Sequence, residues 1–372
     1  MILELDQLTH RYGHELAVDD VSFGLNEGEL VAVLGPSGCG KTTLVQAIAG
    51  HVQPTAGRVV LRDRDVTGEA PEDRHVGIVF QQSTLYPHMT VNENVAYGLA
   101  ARGIEPTQRD KRVREYLELV ALSEKRDAHP SELSGGQRRR VEVARALAPQ
   151  PDVLLLDEPL SALDRQLRER LRDEIARIQA ETGVTTLFVT HDQEEAMALA
   201  DRLIVMNDGR VSGSGAPRVL YESPPTPFVA SFLGRSNTFP ATVVSQLPPV
   251  LRVGDRTFSL PSGTITASEG TAVTCHVRPD RLSVSDPDAT DNGSALSLPG
   301  EVVAIADVGR RYDVKIQAET GPQFVVETME RPPVSGEAVT VELPRDRITI
   351  FESATHDSQE STPRSDTEEY DD

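Results

Sequence analysis

The sequence predicts an α/β fold with a mostly parallel sheet, followed by a smaller all-β domain. In the first two-thirds of the chain, apolar runs typical of buried strands alternate with helical segments. A block of helices with charged faces interrupts this alternation, which indicates a helical subdomain inserted into the sheet. Further along, short β segments separated by Gly and Pro turns predict a barrel or sandwich.

The buried strands are recognised by apolar runs without polar alternation. The first is LVAVL at 30–34, which ends at a glycine and precedes a helix predicted over 42–49. Gly50 stands where a glycine commonly ends a helix. The last strand continues through the turn sequence Asn-Asp-Gly into a hairpin. The buried strands after the first are predicted at 76–80, 153–156, 185–189 and 203–206, and the strand at 203–206 is the one that continues into the hairpin.

The domain boundaries follow from breaks in these patterns. A helical subdomain is predicted over about 88–150, with helices at 92–102, 108–121 and 136–147. The proline-rich run SPPTP cannot continue a helix and marks the end of the α/β region. We therefore expect an α/β domain at 1–235, an all-β OB-like domain at 236–352 and an acidic disordered tail at 353–372. The β segments of the second domain are predicted at 272–277, 282–285, 301–306, 312–317, 323–327, 338–343 and 348–351.

Composition and charge exclude several classes of protein. No stretch approaches the ~18 consecutive apolar residues that span a bilayer, and the first residues lack the pattern of a secretory signal. Two cysteines, Cys39 and Cys275, exclude a disulfide framework and are typical of a protein from a reducing cytosol. The 37 basic and 58 acidic residues give a formal net charge of −21, which argues against nucleic acid as a partner.

The net charge of −21 leaves two interpretations, an ordinary acidic protein or a protein of a halophile. We favour the halophile, because molar salt shortens the Debye length to about 3 Å and screens the repulsion among excess carboxylates. The expected result is a melting temperature that rises between about 0.1 M and about 1 M KCl. A melting temperature that is insensitive to KCl would contradict this hypothesis.

A glycine-rich loop follows the first buried strand and precedes the first helix. It matches the pattern G-x-x-x-x-G-K-[ST], in which backbone N–H groups and a helix N-terminus bind phosphate. Lys41 is expected to contact the β- and γ-phosphates, and the Thr42 hydroxyl to complete Mg²⁺ coordination. Cys39 is interpreted as a small filler of the loop. The nucleotide-binding residues predicted in this phosphate loop are Gly35, Pro36, Ser37, Gly38, Cys39, Gly40, Lys41, Thr42 and Thr43.

Two carboxylates, Asp157 and Glu158, follow the apolar run at 153–156. In open α/β sheets, ligands bind beyond the carboxyl ends of the strands, which is where these side chains are expected. Asp157 is predicted to hold Mg²⁺ through water. Glu158 is predicted to orient and deprotonate the water that attacks the γ-phosphate.

Gln81 and His191 also follow predicted strands of the parallel sheet. The same rule places them at the edge where Asp157 is expected, so the side chains can converge on one nucleotide. His191 is predicted to contact the γ-phosphate. Gln81 is predicted to join Thr42 and Asp157 at Mg²⁺, and the catalytic set is Glu158, His191, Gln81 and Lys41.

A second anion-binding loop precedes the helix predicted at 136–147. A serine and two glycines at a helix start present a hydroxyl and backbone N–H groups to an anion. One chain therefore carries two phosphate-binding loops, about a hundred residues apart. The residues of this serine loop are Ser134, Gly135, Gly136 and Gln137.

These motifs, in this order, resemble those of the ATP-binding subunit of an ABC transporter. The resemblance covers residues 1 to about 235 and implies that Tyr12 stacks on adenine. It also identifies SALD at 161–164 as a loop whose Asp164 lies at the nucleotide. The family forms a head-to-tail dimer, of identical copies or close paralogues, with two ATP molecules at the interface. The serine loop of one subunit would then contact the γ-phosphate that Lys41 of the other holds.

The C-terminal third resembles the β-rich extension called TOBE, through FLGRSN at 232–237 and VRPD at 277–280. This resemblance implies an importer ATPase at the cytoplasmic face of the membrane, with permease partners and, indirectly, an extracytoplasmic substrate-binding protein. The expected cargo is ferric iron or a polyamine, with sugar, thiamine, sulfate and molybdate as alternatives. The string YPHM at 86–89 is expected to line the groove that receives a permease helix.

Two other classes of ABC ATPase are the alternatives, an exporter subunit and a soluble ATPase that works on DNA or ribosomes. An exporter subunit is disfavoured by the TOBE-like extension. Chromosome and repair ATPases need long coiled coils, whereas only about fifty residues separate Gln81 from Leu133 and they contain no heptad run. Translation-type ATPases carry two cassettes in one chain, whereas this sequence contains one.

Overall fold

The computed structural model describes residues 1–161, 163–287 and 295–352. They form two compact units, of which the first is Met1–Arg235 and the second begins at Ser236. The tail predicted at 353–372 and the loop residue Ala162 lie outside the described residues. No helix of the described ranges is both long and apolar enough to cross a membrane.

The described α-helices all belong to the first unit, whereas strands occur in both units. The strands of the first unit are β1 (Leu3–Tyr12), β2 (Glu15–Leu25), β3 (Leu30–Leu34), β4 (Ala56–Leu61), β5 (Arg64–Asp65), β6 (Val76–Val79), β7 (Val153–Asp157), β8 (Thr185–Thr190), β9 (Arg202–Asn207) and β10 (Arg210–Gly215). Its helices are α1 (Lys41–Ala49), α2 (Val91–Ala101), α3 (Pro106–Leu119), α4 (Gly135–Leu147), α5 (Arg165–Thr182), α6 (Gln193–Leu199), α7 (Pro217–Glu222) and α8 (Pro227–Phe232).

A six-stranded sheet forms the centre of the first unit, in the order β10-β9-β3-β8-β7-β6. Neighbouring strands are parallel except for the hairpin of β9 and β10. Every residue of β3, β7 and β8 is buried, because helices and another sheet of the same unit cover the two faces of the central sheet. This burial explains the apolar runs in the sequence. The arrangement confirms the predicted α/β fold.

A second sheet of the first unit has the order β2-β1-β4-β5 and is antiparallel. This sheet is not among the elements predicted from the sequence. The pairing of β1 with β2 contains register shifts, and these interrupt the strict alternation by which a half-buried strand is recognised.

The helices α2, α3 and α4 pack together and form the inserted helical block. Their shared core includes Val95, Leu99, Leu117 and Val141, all of them at most 1% exposed. The charged face predicted for α4 is not exposed throughout, because its charged residues Arg139 and Glu142 are buried. Their partners are backbone groups and each other, which no periodicity in the sequence reveals.

The second unit is all-β, as predicted. Its strands are β11 (Asn237–Gln246), β12 (Pro249–Val253), β13 (Arg256–Ser259), β14 (Ala272–Val277), β15 (Ser283–Ser285), β16 (Ala295–Asp307), β17 (Tyr312–Ala318), β18 (Gln323–Thr328), β19 (Ala338–Pro344) and β20 (Thr349–Glu352). They form two antiparallel five-stranded sheets, β13-β12-β11-β14-β20 and β15-β19-β16-β17-β18. One apolar core joins the sheets, and the Phe239 and Phe324 rings meet in it at 5.5 Å. Strands β11, β12 and β13 are not among the β segments predicted from the sequence.

His276 is a buried titratable residue of the second unit. It lies on β14 with 2% of its surface exposed. Its Nδ1 is 2.8 Å from Ser236 Oγ, and its ring stacks on Phe351 at 6.2 Å. Burial, reinforced by the positive charge of Arg278, lowers the pKa of His276 to about 4. The folded protein therefore holds this imidazole neutral where the unfolded chain would protonate it.

We expect His276 to make the stability of the protein depend on pH. Its contribution to the free energy of unfolding is complete above the unfolded pKa of about 6.5 and decreases as the pH falls towards about 4. Between pH 7 and pH 5 the loss is about 2 kcal/mol. Urea unfolding of the wild type and of His276→Gln at both pH values measures it, with a smaller loss expected for the variant. Equal losses in the two proteins would contradict the assignment.

Candidate active site

The phosphate loop connects β3 to α1, and two of its glycines are required by its geometry. Gly40 caps α1 with φ of 97°, a left-handed backbone conformation that residues with a side chain rarely adopt. A Cβ on Gly40 would collide with the Ala17 carbonyl, and a Cβ on Gly35 would meet Cys39 Sγ and the Met206 carbonyl at 2.5 Å. The loop is therefore tightly packed at both glycines, and a side chain at either position would displace its neighbours.

Lys41 is 6% exposed and lies inside the phosphate loop. Its Nζ donates to the Gly35 carbonyl at 2.8 Å and to the Pro36 carbonyl at 3.0 Å. Cys39 Sγ lies 3.8 Å from the same nitrogen, and burial raises the pKa of this thiol. A raised pKa disfavours the reactive thiolate, in agreement with a filling role for Cys39.

Asp157 and Glu158 lie at the carboxyl end of β7. Asp157 is 5% exposed, and its Oδ1 has no hydrogen-bond partner within the described part of the chain. Burial, with the neighbouring charge of Glu158, raises the pKa of Asp157 to about 6 against the lowering effect of Lys41. A buried carboxylate oxygen without a partner is the group that a cation would satisfy.

Three side chains from the ends of β6, β7 and β8 meet at one oxygen atom. Gln81 Nε2 lies 3.1 Å from Glu158 Oε2, and His191 Nδ1 lies 3.2 Å from the same oxygen. Glu158 has a positive φ of 44°, and its N–H donates to the Val189 carbonyl at 2.9 Å. The strained backbone is thereby anchored on β8, with the carboxylate aimed at Gln81 and His191.

A cleft of about 410 Å³ lies over the phosphate loop. Tyr12 contributes to its wall, is 48% exposed and rests edge-to-face on His10 at 4.5 Å. Its exposed face is available for stacking on a base. The cleft brings together the predicted residues Tyr12, Ser37, Gly38, Gly40, Lys41, Thr42, Thr43, Gln81 and Glu158.

The serine loop does not line this cleft. Ser134 caps α4, where its Oγ accepts from Gln137 N at 3.2 Å, and Gln137 Oε1 accepts from Ser134 N at 2.9 Å. Ser134 and Gly135 are exposed, whereas Gly136 is buried against Leu167. The loop therefore places Ser134 and Gly135 at the surface of the protomer.

Asp164 is also absent from the cleft over the phosphate loop. It caps α5, and its Oδ1 accepts from Leu167 N at 2.9 Å. Arg168 on the same helix is not among the residues predicted from the sequence. It donates to the Leu163 carbonyl and to Asp192 Oδ2, both at 3.1 Å, and so ties the loop that follows β7 to the loop that follows β8.

Comparisons with known families and solved structures identify the class of protein to which the chain belongs. Residues 18–161 match the family described as ABC transporter, and residues 276–351 match the TOBE domain. A dimeric ATP-binding cassette in a post-hydrolysis state, bound to ADP and Pi, superposes with a TM-score of 0.52 and 33% identity, over 58% of this chain and 99% of its own. The component cbiO1 of a Clostridium perfringens ABC transporter superposes with a TM-score of 0.55 and 29% identity, over 59% of this chain and 90% of its own. The fold and site define an ABC transporter ATPase, as predicted.

Relatives of nearly full length narrow the class. A sulfate/thiosulfate import ATP-binding protein of Chromobacterium violaceum is 40% identical over 94% of this chain and 95% of its own length. An Fe(3+) ions import ATP-binding protein of Agrobacterium fabrum is 42% identical over 85% and 88%. A spermidine/putrescine import ATP-binding protein of Acidothermus cellulolyticus is 41% identical over 94% and 90%. The chain belongs to the import ATP-binding proteins of ABC transporters, and it is an ATPase.

Proposed function

We propose that the chain hydrolyses Mg²⁺-ATP to drive import through a membrane permease, with Glu158 as the general base. The convergence of Gln81 and His191 on Glu158 Oε2, beside the cleft over the phosphate loop, carries this proposal. Glu158 deprotonates the attacking water, and Gln81 and His191 fix the carboxylate that receives the proton. Lys41 contributes the positive charge for the β- and γ-phosphates, and His191 contacts the γ-phosphate.

The residues present fit a magnesium ion. Among the described residues no group of three or more His, Cys, Asp or Glu side chains could hold a metal ion, and in this proposal nucleotide oxygens would complete the coordination. Thr42 and Gln81 would hold the ion together with Asp157, whose buried Oδ1 has no hydrogen-bond partner among the residues that the structure describes. The ion supplies charge neutralisation for the phosphates.

The second nucleotide contact comes from a partner subunit in this proposal. In a head-to-tail dimer of identical copies or close paralogues, the exposed Ser134 and Gly135 of one subunit face the γ-phosphate held by Lys41 of the other. Asp164, at the start of α5, lies in the neighbouring loop at the same interface. This arrangement gives a function to an anion-binding loop that does not line its own protomer's cleft.

We further propose that the subunit acts at the cytoplasmic face of the membrane, where it binds permease subunits that receive cargo from a substrate-binding protein. Ferric iron or a polyamine is the favoured cargo. The relatives named for sulfate, iron and polyamine import share similar percentages of identical residues with this chain, 40%, 42% and 41%. Sulfate therefore stays an alternative alongside sugar, thiamine and molybdate. Uptake of labelled iron and spermidine, compared between cells with the wild type and with an inactive variant, distinguishes the two favoured cargoes.

Removal of Mg²⁺ is expected to abolish ATP hydrolysis by the purified chain. An excess of EDTA should lower phosphate release at least about a hundredfold, because the ion's charge stabilisation is worth several kcal/mol. Addition of Mg²⁺ in excess over EDTA should restore the rate. Addition of Ca²⁺ in its place tests whether hydrolysis requires octahedral coordination of the ion. Hydrolysis that continues unchanged in EDTA would contradict the proposed magnesium site.

A further inference from the structure

A row of charged residues on α4 faces the segment that follows β6. Arg139, Glu142 and Arg145 recur every three residues along the helix, and they lie against residues 80–84. That segment lies outside any strand or helix, and it contains the catalytic candidate Gln81. Its backbone groups consequently need partners other than those of the sheet.

Arg139 supplies two of these partners. Its Nη1 donates to the Phe80 carbonyl at 2.5 Å, and its Nη2 donates to the Gln81 carbonyl at 2.8 Å. Nη1 also lies 2.8 Å from Glu142 Oε2, in an ion pair whose side chains are 10% and 3% exposed. One planar guanidinium thus holds the backbone on both sides of the Gln81 nitrogen.

Glu142 and Arg145 continue the contact towards Thr84. Glu142 Oε1 accepts from Thr84 N at 2.9 Å. Arg145 donates to the Thr84 carbonyl at 2.8 Å and to its Oγ1 at 2.5 Å. The segment is therefore bound at its two ends by side chains of a single helix, and we call Arg139, Glu142 and Arg145 the α4 clamp.

The buried pair of Arg139 and Glu142 specifies geometry more than it adds stability. Burial lowers the pKa of Arg139 against the opposing effect of Glu142, so the desolvation of this cation is substantial. A buried ion pair is often no more stabilising than apolar residues of similar volume. What apolar side chains could not supply is the set of directed hydrogen bonds to the 80–84 backbone.

We propose that Arg139, oriented by Glu142, is a positioning residue that couples the serine loop to Gln81. The inference rests on the proposed function of Gln81. Helix α4 begins directly after Ser134 and carries the clamp at its fifth, eighth and eleventh residues, so the serine loop and the Gln81 backbone are held by one helix and move as one body. A nucleotide contact at the serine loop thereby influences where the Gln81 amide stands relative to Glu158.

Steady-state kinetics of Arg139→Met test this coupling. We expect kcat for ATP to fall about tenfold, with KM changed less than about twofold. Because the variant leaves the buried Glu142 without its ion-pair partner, the double variant Arg139→Met/Glu142→Gln is measured beside it. The matched control is Arg140→Met, since Arg140 donates to the Val120 carbonyl and faces Glu174 instead. Its kcat should stay within about twofold of the wild type.

A cycle with Gln81→Ala separates positioning from a general loss of structure. If Arg139 acts through Gln81, the Arg139→Met substitution should change kcat less than about twofold when Gln81 is already alanine. Arg139→Lys, which keeps the charge but not the fork, should restore only part of the rate. Multiplicative losses in the cycle would overturn the proposal, as would an unchanged kcat in Arg139→Met. Failure of the wild type to bind trinitrophenyl-ATP would instead overturn the proposed function.

Discussion

Replacement of Glu158 by glutamine is expected to lower kcat for ATP hydrolysis about a thousandfold while ATP binding is retained. A general base contributes about 10²–10⁴ to a rate, and Glu158 is the carboxylate on which Gln81 and His191 converge. Glutamine preserves the size of the side chain but cannot accept the proton of the attacking water. Single-turnover phosphate release, with ATP binding measured in parallel, gives the two quantities separately.

The Glu158→Gln variant should also accumulate as a dimer with Mg²⁺-ATP, because the closed state forms but is not resolved by hydrolysis. Size-exclusion chromatography with and without nucleotide measures this. The matched control is Glu181→Gln, an identical chemical change at an exposed carboxylate that pairs with Arg177 at 2.8 Å near the end of α5. A kcat of Glu158→Gln within about tenfold of the wild type would show that another group accepts the proton.

The sheet and the phosphate loop could be predicted because their sequence signals are local. Burial on both faces leaves runs such as LVAVL in β3, and the loop pattern depends on glycines that the backbone requires. The grouping of Gln81, Glu158 and His191 was predictable in kind, because parallel strands end at the same edge. The distances of 3.1 and 3.2 Å to one carboxylate oxygen are tertiary facts that only the structure supplies.

The α4 clamp was not predictable, because charged residues at helical spacing normally indicate a solvated face. Arg139 and Glu142 are buried by the segment at 80–84, which is remote from α4 in sequence. The irregular second sheet of the first unit was missed for a related reason. Strand β1 pairs with both β2 and β4, and register shifts in these pairings weaken the alternation of polar and apolar residues that would have indicated the strands.

Lys41→Ala and Ser134→Ala should each inactivate the protein, by different losses. Lys41→Ala removes the cation enclosed by the phosphate loop, so ATP affinity should fall about a hundredfold. Ser134→Ala removes a hydroxyl at the start of α4, and kcat should fall about a hundredfold while affinity for ATP in the phosphate loop is preserved. Equilibrium binding of trinitrophenyl-ATP and steady-state ATPase rates separate the two defects.

A mixture of the two inactive variants is then expected to regain activity. If the serine loop acts in trans, a heterodimer of Lys41→Ala with Ser134→Ala collects both defects in one site and leaves the other site intact. Random pairing of equal amounts makes half of the dimers mixed, so about a quarter of the wild-type rate should return. The control is the double variant mixed with wild type, in which every mixed dimer has one defect in each site. In this control the wild-type homodimers, a quarter of all dimers, stay active, so about a quarter of the wild-type rate should remain, whereas loops that act within one subunit would leave about half. No recovery in the mixture of single variants, or about half of the wild-type rate in the control, would show that the two loops do not form a shared site.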